Sequence, residues 1–160
     1  MKHEEKKYEV KDFADILQKL KSLGIKEDRH ATATHYYAKQ SGNDVIKLVH
    51  GANKDEIHLL KESAGKFQLT GSIPVENVKD GLKWLKDKGY DDIQEIKMEH
   101  SDYPFEGGIV GLYLVNDTLH AVILDYPPDQ HEAIEKKLDL ESSQVIDEPF
   151  NKYIERIQGS

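Results

Sequence analysis

Lys7-Tyr8-Glu9-Val10-Lys11 decides how the rest of the chain is read. Charged and apolar residues alternate in it, so a strand sets Lys7, Glu9 and Lys11 on one face and Tyr8 and Val10 on the other. A basic-acidic-basic row cannot enter a dry core, because its charges would lose their hydration there. That face must meet water or a charged ligand. Several later segments repeat the design, with lysines on the polar face and aliphatics opposite.

Working outward, Asp12 can cap a helix over 13–23, where Phe13, Ile16, Leu17, Leu20 and Leu23 recur at helical spacing and Gly24 follows as a stop. The Thr- and Tyr-rich segment 30–38 reads as a strand, Gln40 to Asn43 as a turn, and 44–50 as its hairpin partner. Further strands are predicted over 56–61 and 66–73, the latter with strict alternation. A second helix opens after Val75, carries Val78, Leu82 and Leu85 on its apolar stripe, and stops at Gly89. Strand 93–100 is followed by a loop over 102–108. A hairpin over 109–125 turns at Asn116-Asp117, and two short helices, over 131–140 and after Pro149, complete the chain. One internal echo is present: strand, helix ending in glycine (Gly24, Gly89), then strands.

Composition narrows the function. A chain of 160 residues is most simply one domain, residues 1–160, with room for a real core. The formal net charge of −8 argues against a nucleic-acid coat, although a local basic pocket is compatible with it. The lack of cysteine removes disulfides and thiolate metal sites and suits a reducing compartment. Neither a signal core nor a membrane-length apolar segment is visible, so the expectation is a soluble cytoplasmic protein with no nucleic-acid or membrane partner. Gly107-Gly108 precedes no helix and is not a phosphate loop. His35, His50, His58, His100 and His120 fall on or beside strands without the i, i+4 spacing of a zinc motif. No serine stands in a nucleophile elbow. The tyrosines Tyr8, Tyr36 and Tyr37 read as packing between sheet and helix.

The element order, with the words at its two ends, resembles the CYTH superfamily, the triphosphate tunnel metalloenzymes that include class-IV adenylyl cyclases and thiamine or inorganic triphosphatases. Lys7-Tyr8-Glu9-Val10-Lys11 stands where the family opens with Glu-x-Glu-x-Lys, and a helix ending Leu23-Gly24 follows it. Thr34-His35-Tyr36-Tyr37, Ile46-Lys47-Leu48-Val49, Leu59-Leu60-Lys61 and Ile96-Lys97-Met98-Glu99 resemble its successive strand words. Asp139-Leu140 and Lys152-Tyr153-Ile154-Glu155-Arg156-Ile157 resemble its closing Gly-Leu and final helix. The likeness covers nearly the whole chain through order and spacing, with no single motif intact.

The resemblance implies an α+β fold, an antiparallel β-barrel or tunnel of about eight strands with helices packed outside. It implies a triphosphate held by basic residues, here Lys11, Lys47, Lys61, Lys66 and Lys97. It also implies Mg²⁺ or Mn²⁺ on clustered carboxylates if the protein is catalytic. The metal side is depleted: Lys7 replaces the first glutamate, Gln68 and Thr70 stand for central ones, and Glu9 and Asp125 remain as ligand candidates. Ala121 and Ile123 share the face of Asp125, while Val49 and Glu99 occupy places usually given to arginine. The expected function is therefore binding of a phosphate-rich small molecule (nucleotide, triphosphate or polyphosphate) with catalysis weakened or lost. The alternatives are an active metal-dependent triphosphatase or adenylyl cyclase, and a non-catalytic scaffold for a protein partner.

Overall fold

The computed structural model describes residues 2–38, 44–63 and 66–158, the side chains of Ser63 and Lys66 excepted. The fold is α+β. Its strands are β1 (Glu4–Val10), β2 (Arg29–Ala38), β3 (Asp44–His50), β4 (Asp55–Ser63), β5 (Lys66–Val75), β6 (Ile93–Phe105), β7 (Gly108–Val115), β8 (Leu119–Tyr126) and β9 (Gln144–Ile146). The helices are α1 (Ala14–Ser22), α2 (Val78–Asp87), α3 (His131–Lys137) and α4 (Phe150–Gln158). Among the described residues the strands join in the hydrogen-bonded order β5-β4-β3-β2-β6-β7-β8-β1-β9, with β5 and β9 as the end strands. Two compact units divide the chain: Met1–Ala31 with Glu99–Asp147, and Thr32–Met98 with Glu148–Ser160. The long strands β2 and β6 contribute to both.

In the first unit β1 pairs antiparallel with β8, and β8 with β7. Alternation turns Tyr8, Val122, Leu124, Tyr126, Val110 and Leu112 to one side. There they pack with Ile16 and Leu20 of α1, Ile25, and Ile134, Leu138 and Leu140 in and after α3. Glu135 on α3 accepts hydrogen bonds from Lys6 Nζ and the Tyr8 hydroxyl, fastening the helix to β1. Gly108 is required by space: a Cβ there would lie 2.3 Å from the Tyr126 ring and 2.5 Å from the Asp125 carbonyl oxygen.

The second unit packs β2–β5 against α2. Ala38, Leu48, Ile57 and Leu85 are fully or nearly fully buried, joined by Tyr36, Ile46, Leu59, Ile73, Trp84 and Ile93. Asn77 caps α2, its side-chain oxygen accepting from the Asp80 N–H at 2.8 Å. α1 and α2 end alike. Gly24 (φ +72°) and Gly89 (φ +92°) are left-handed. Ile25 N–H and Tyr90 N–H each reach back five residues, to the Leu20 and Leu85 carbonyls, at 2.9 and 3.0 Å. This is the Schellman closure in both units, and it accounts for the echo in the sequence.

Asp12 acts one position earlier than a cap of α1 proper, accepting from Ala14 N–H at 2.9 Å while Phe13 holds the N-cap position without a side-chain bond. The segment expected to loop over 102–108 is largely strand. β6 runs to Phe105, and only Glu106 (φ 49°) and Gly107 (φ 84°) turn the chain into β7. Pro104 survives in a strand by lacking only a donor. The helix expected over 131–140 stops at Lys137. Asp139 then adopts φ 56°, a conformation that glycine favours, at the place where the resemblance puts Gly-Leu. β9 was not expected, and its three residues pair with β1. The turn expected from Gln40 to Asn43 lies outside the described residues.

Candidate functional site

The polar side of β2–β5 lies opposite the α2 core. Tyr37, Lys47 and His58 stand directly across from one another on three neighbouring strands, with His35 two residues from Tyr37 and Glu56 two from His58. Lys47 Nζ is 3.2 Å from His35 Nδ1, so the ammonium donates and the imidazole accepts through its lone pair. The same Nζ lies 5.3 Å from the centre of the Tyr37 ring and 5.9 Å from that of Phe67. Both distances suit cation–π attraction. The Tyr37 hydroxyl is 3.5 Å from His35 Nδ1.

Lys47 has no carboxylate partner among the described residues. The two acids on this face of β4 are engaged elsewhere: Glu56 by His58 at 3.0 Å and Lys54 at 3.0 Å, and Glu62 by Lys152. Burial therefore brings the Lys47 ammonium down to about 8. Burial first, and then the neighbouring Lys47 and His58, push His35 down to about 3. Tyr37 is pushed up by burial. A desolvated cation thus stands beside a neutral imidazole and two rings, with no counter-charge from a carboxylate among the described residues.

The other predicted lysines are placed differently. Lys61 pairs with Asp44, one step out of phase with the Lys47 row, which sets it on the Ile46 side, exposed. Lys97 shares by alternation the side of Ile93, which packs in the α2 cluster, and is also exposed. Lys66 begins β5, and its side chain lies outside the described residues. Lys11 is exposed just beyond the end of β1. Lys47 is thus the one described lysine of this unit's predicted set on the face of His35.

On the first unit's polar side, Glu5, Lys7 and Glu9 stand across from Asp125, Ile123 and Ala121, and Tyr113 lies across from Ala121. His100 stacks on Tyr113 with ring centres 4.8 Å apart and planes 8° from parallel. Burial, helped by Glu5, Asp102 and Asp125, pushes the Tyr113 hydroxyl up to about 12. Burial lowers His100 although Asp102 opposes the shift. Glu9 and Asp125 share a face, with four residues between their rows, roughly 13 Å of strand rise. Asp125 instead pairs with His3 at 3.3 Å. Among the described residues no three His, Asp or Glu side chains gather as a metal site. The residues present do not fit a metal held by the protein alone.

Reading the sequence alone missed His35, Tyr37 and Phe67 as neighbours of Lys47. The signal was the alternation His35-x-Tyr37 set against Lys47 across a hairpin. The hairpin register, which no single segment carries, decides that Tyr36 rather than Tyr37 faces the helix.

No family model matches the sequence, and no curated protein matches it. Solved structures do. The PH1012 protein from Pyrococcus horikoshii OT3 superimposes with a TM-score of 0.74 at 16% identity, over 92% of this chain and 96% of that one. A candidate adenylate cyclase from Bacillus halodurans gives 0.64 at 14% identity, over 95% and 96%. The inorganic triphosphatase NE1496 gives 0.54 at 14% identity, over 83% and 79%. The fold is CYTH-like. At these identities the likeness carries the architecture and not the activity. No helix among the described residues of this CYTH-like chain is long and apolar enough to cross a membrane, which says nothing of insertion by strands.

Proposed function

We propose that this CYTH-like protein binds a phosphate-rich small molecule, a nucleotide, triphosphate or short polyphosphate, and that its catalysis is weakened or lost. The observation that carries the reading is Lys47, a half-buried ammonium with no carboxylate partner among the described residues. A phosphate oxygen replacing missing hydration at Nζ would form a charge-assisted hydrogen bond in a site of low polarity, where such bonds are strongest. Weakened catalysis is supported by the carboxylates: Glu9 and Asp125 lie four residues apart on the ladder, and among the described residues no three His, Asp or Glu side chains gather as a metal site. Mg²⁺ or Mn²⁺ would then reach the protein through the ligand's own phosphates. A cytoplasmic setting fits both the ligand class and the absence of cysteine.

The second reading, a live triphosphatase or adenylyl cyclase, is favoured by the names of two structural neighbours. A thermal-shift titration with tripolyphosphate, ATP and polyphosphate, with and without Mg²⁺ or Mn²⁺, separates the two. The binding reading expects a rise in midpoint without metal that Lys47→Met removes. A rise seen only with metal, together with Mn²⁺-dependent phosphate release lost in Glu9→Gln, transfers the conclusion to the enzyme. No rise with any ligand overturns both.

A further inference from the structure

We propose that Lys47 is a covalent site whose amine forms an imine with small aldehydes, preferentially those bearing a phosphate. The preference for phosphate rests on the function proposed above; the imine itself rests on geometry. A lysine paired to a carboxylate has its nitrogen engaged in an ion pair. Lys6 and Lys152 are of that kind, bound to Glu135 and Glu62. Lys47 is not, because the acids on its face are taken by other bases.

Its nitrogen is also held in place. His35 Nδ1 accepts from Nζ at 3.2 Å, and the Tyr37 and Phe67 rings flank it at 5.3 and 5.9 Å from their centres. The residue is half-buried rather than sealed. Desolvation beside aromatic rings is the setting in which lysines act as nucleophiles. Burial brings the amine down to about 8, so on the order of a tenth is unprotonated at neutral pH.

The ammonium first gives one proton to solvent, and the unprotonated Nζ attacks the carbonyl carbon with its lone pair while the carbonyl π pair moves to oxygen. A proton passes from nitrogen to that oxygen, giving a neutral carbinolamine. A proton from solvent, replacing the one released, goes to the hydroxyl, which leaves as water as the nitrogen lone pair forms the C=N bond. The product is the protonated imine, so the charge of the site is the same before and after. His35 is a positioning residue here, kept neutral so that its lone pair aims Nζ outward.

The test uses the full chain with pyridoxal 5′-phosphate and with unphosphorylated pyridoxal. Borohydride traps the imine, and peptide mapping by mass spectrometry locates the label. Lys47 is expected to be labelled at least about tenfold faster than exposed Lys61 and Lys97. Lys47→Arg should lose the imine absorbance band and leave the labelling of Lys61 unchanged. His35→Asn should slow Lys47 alone, with circular dichroism reporting an intact fold. Faster labelling by the phosphorylated aldehyde, suppressed by tripolyphosphate, supports both parts. Equal rates for the two aldehydes, with Lys47 still preferred, keep the imine and sink the phosphate reading. Labelling of Lys47 no faster than of the exposed lysines overturns the proposal.

Discussion

Lys6 on β1 and Lys47 on β3 are both strand lysines drawn partly out of water, and the two regions treat them in opposite ways. Lys6 lies on the core side of its strand and meets a carboxylate, Glu135, only 15% exposed and shared with the Tyr8 hydroxyl. Lys47 lies on the side away from its core and meets an imidazole and two rings. The first arrangement closes a charge balance and ties α3 to the sheet. The second leaves a charge open. One cation is partnered and the other has no carboxylate among the described residues, and that difference separates two residues that look alike in sequence.

The largest expected effect breaks the open side of this comparison. Lys47→Met removes a desolvated charge and should raise stability by about 1–3 kcal/mol at pH 7 while abolishing polyanion binding. The sign follows from linkage: burial brings Lys47 down to about 8 from its ordinary 10.5, so the unfolded chain holds more protons between those values. Stability of the parent should therefore climb with pH through that window, and the variant should lose the climb. Urea denaturation at pH 7 and above 10 reads both.

Glu135→Ala breaks the closed side and should do the reverse. It strands Lys6 and the Tyr8 hydroxyl, costing about 1–3 kcal/mol and lowering the melting temperature by roughly 2–4 °C per kcal/mol, with polyanion binding unchanged. Loss of binding in this variant would erase the distinction between the two lysines. A third substitution sharpens the first. Burial holds His35 down to about 3 against its ordinary 6.5, so the unfolded chain takes up more protons between those values. Stability should fall as pH drops below 6.5, and His35→Asn should flatten that fall by on the order of 2 kcal/mol at pH 4. The smallest effect lies away from either lysine: Asn77→Ala removes the α2 cap and should cost about 1 kcal/mol in thermal or urea unfolding, with no change in binding.

Much of the architecture was legible because its signals are local. Alternation at Tyr8-Glu9-Val10 placed the first strand and its two faces, and Gly24 and Gly89 marked helix ends that need a left-handed residue. β9 was not legible, since three residues carry no periodicity. The end of β6 was hidden by Pro104 and paired glycines, which read as a loop although only Glu106 and Gly107 turn. The site was legible in part. Lys47 was recognisable as a polar-face lysine, but so were Lys61 and Lys97, and only register across β3–β4 and packing against α2 place those two on another side. For the carboxylate pair, facing follows from alternation, whereas the offset of Glu9 from Asp125 is set by the β1–β8 register.

The most direct test of the open cation is a paired thermal-shift titration of the parent and Lys47→Met with tripolyphosphate in the absence of divalent metal. The account predicts that the variant starts from a higher midpoint and shows no rise with ligand, while the parent rises steadily with concentration. A variant that starts lower, or that still rises as the parent does, would contradict it.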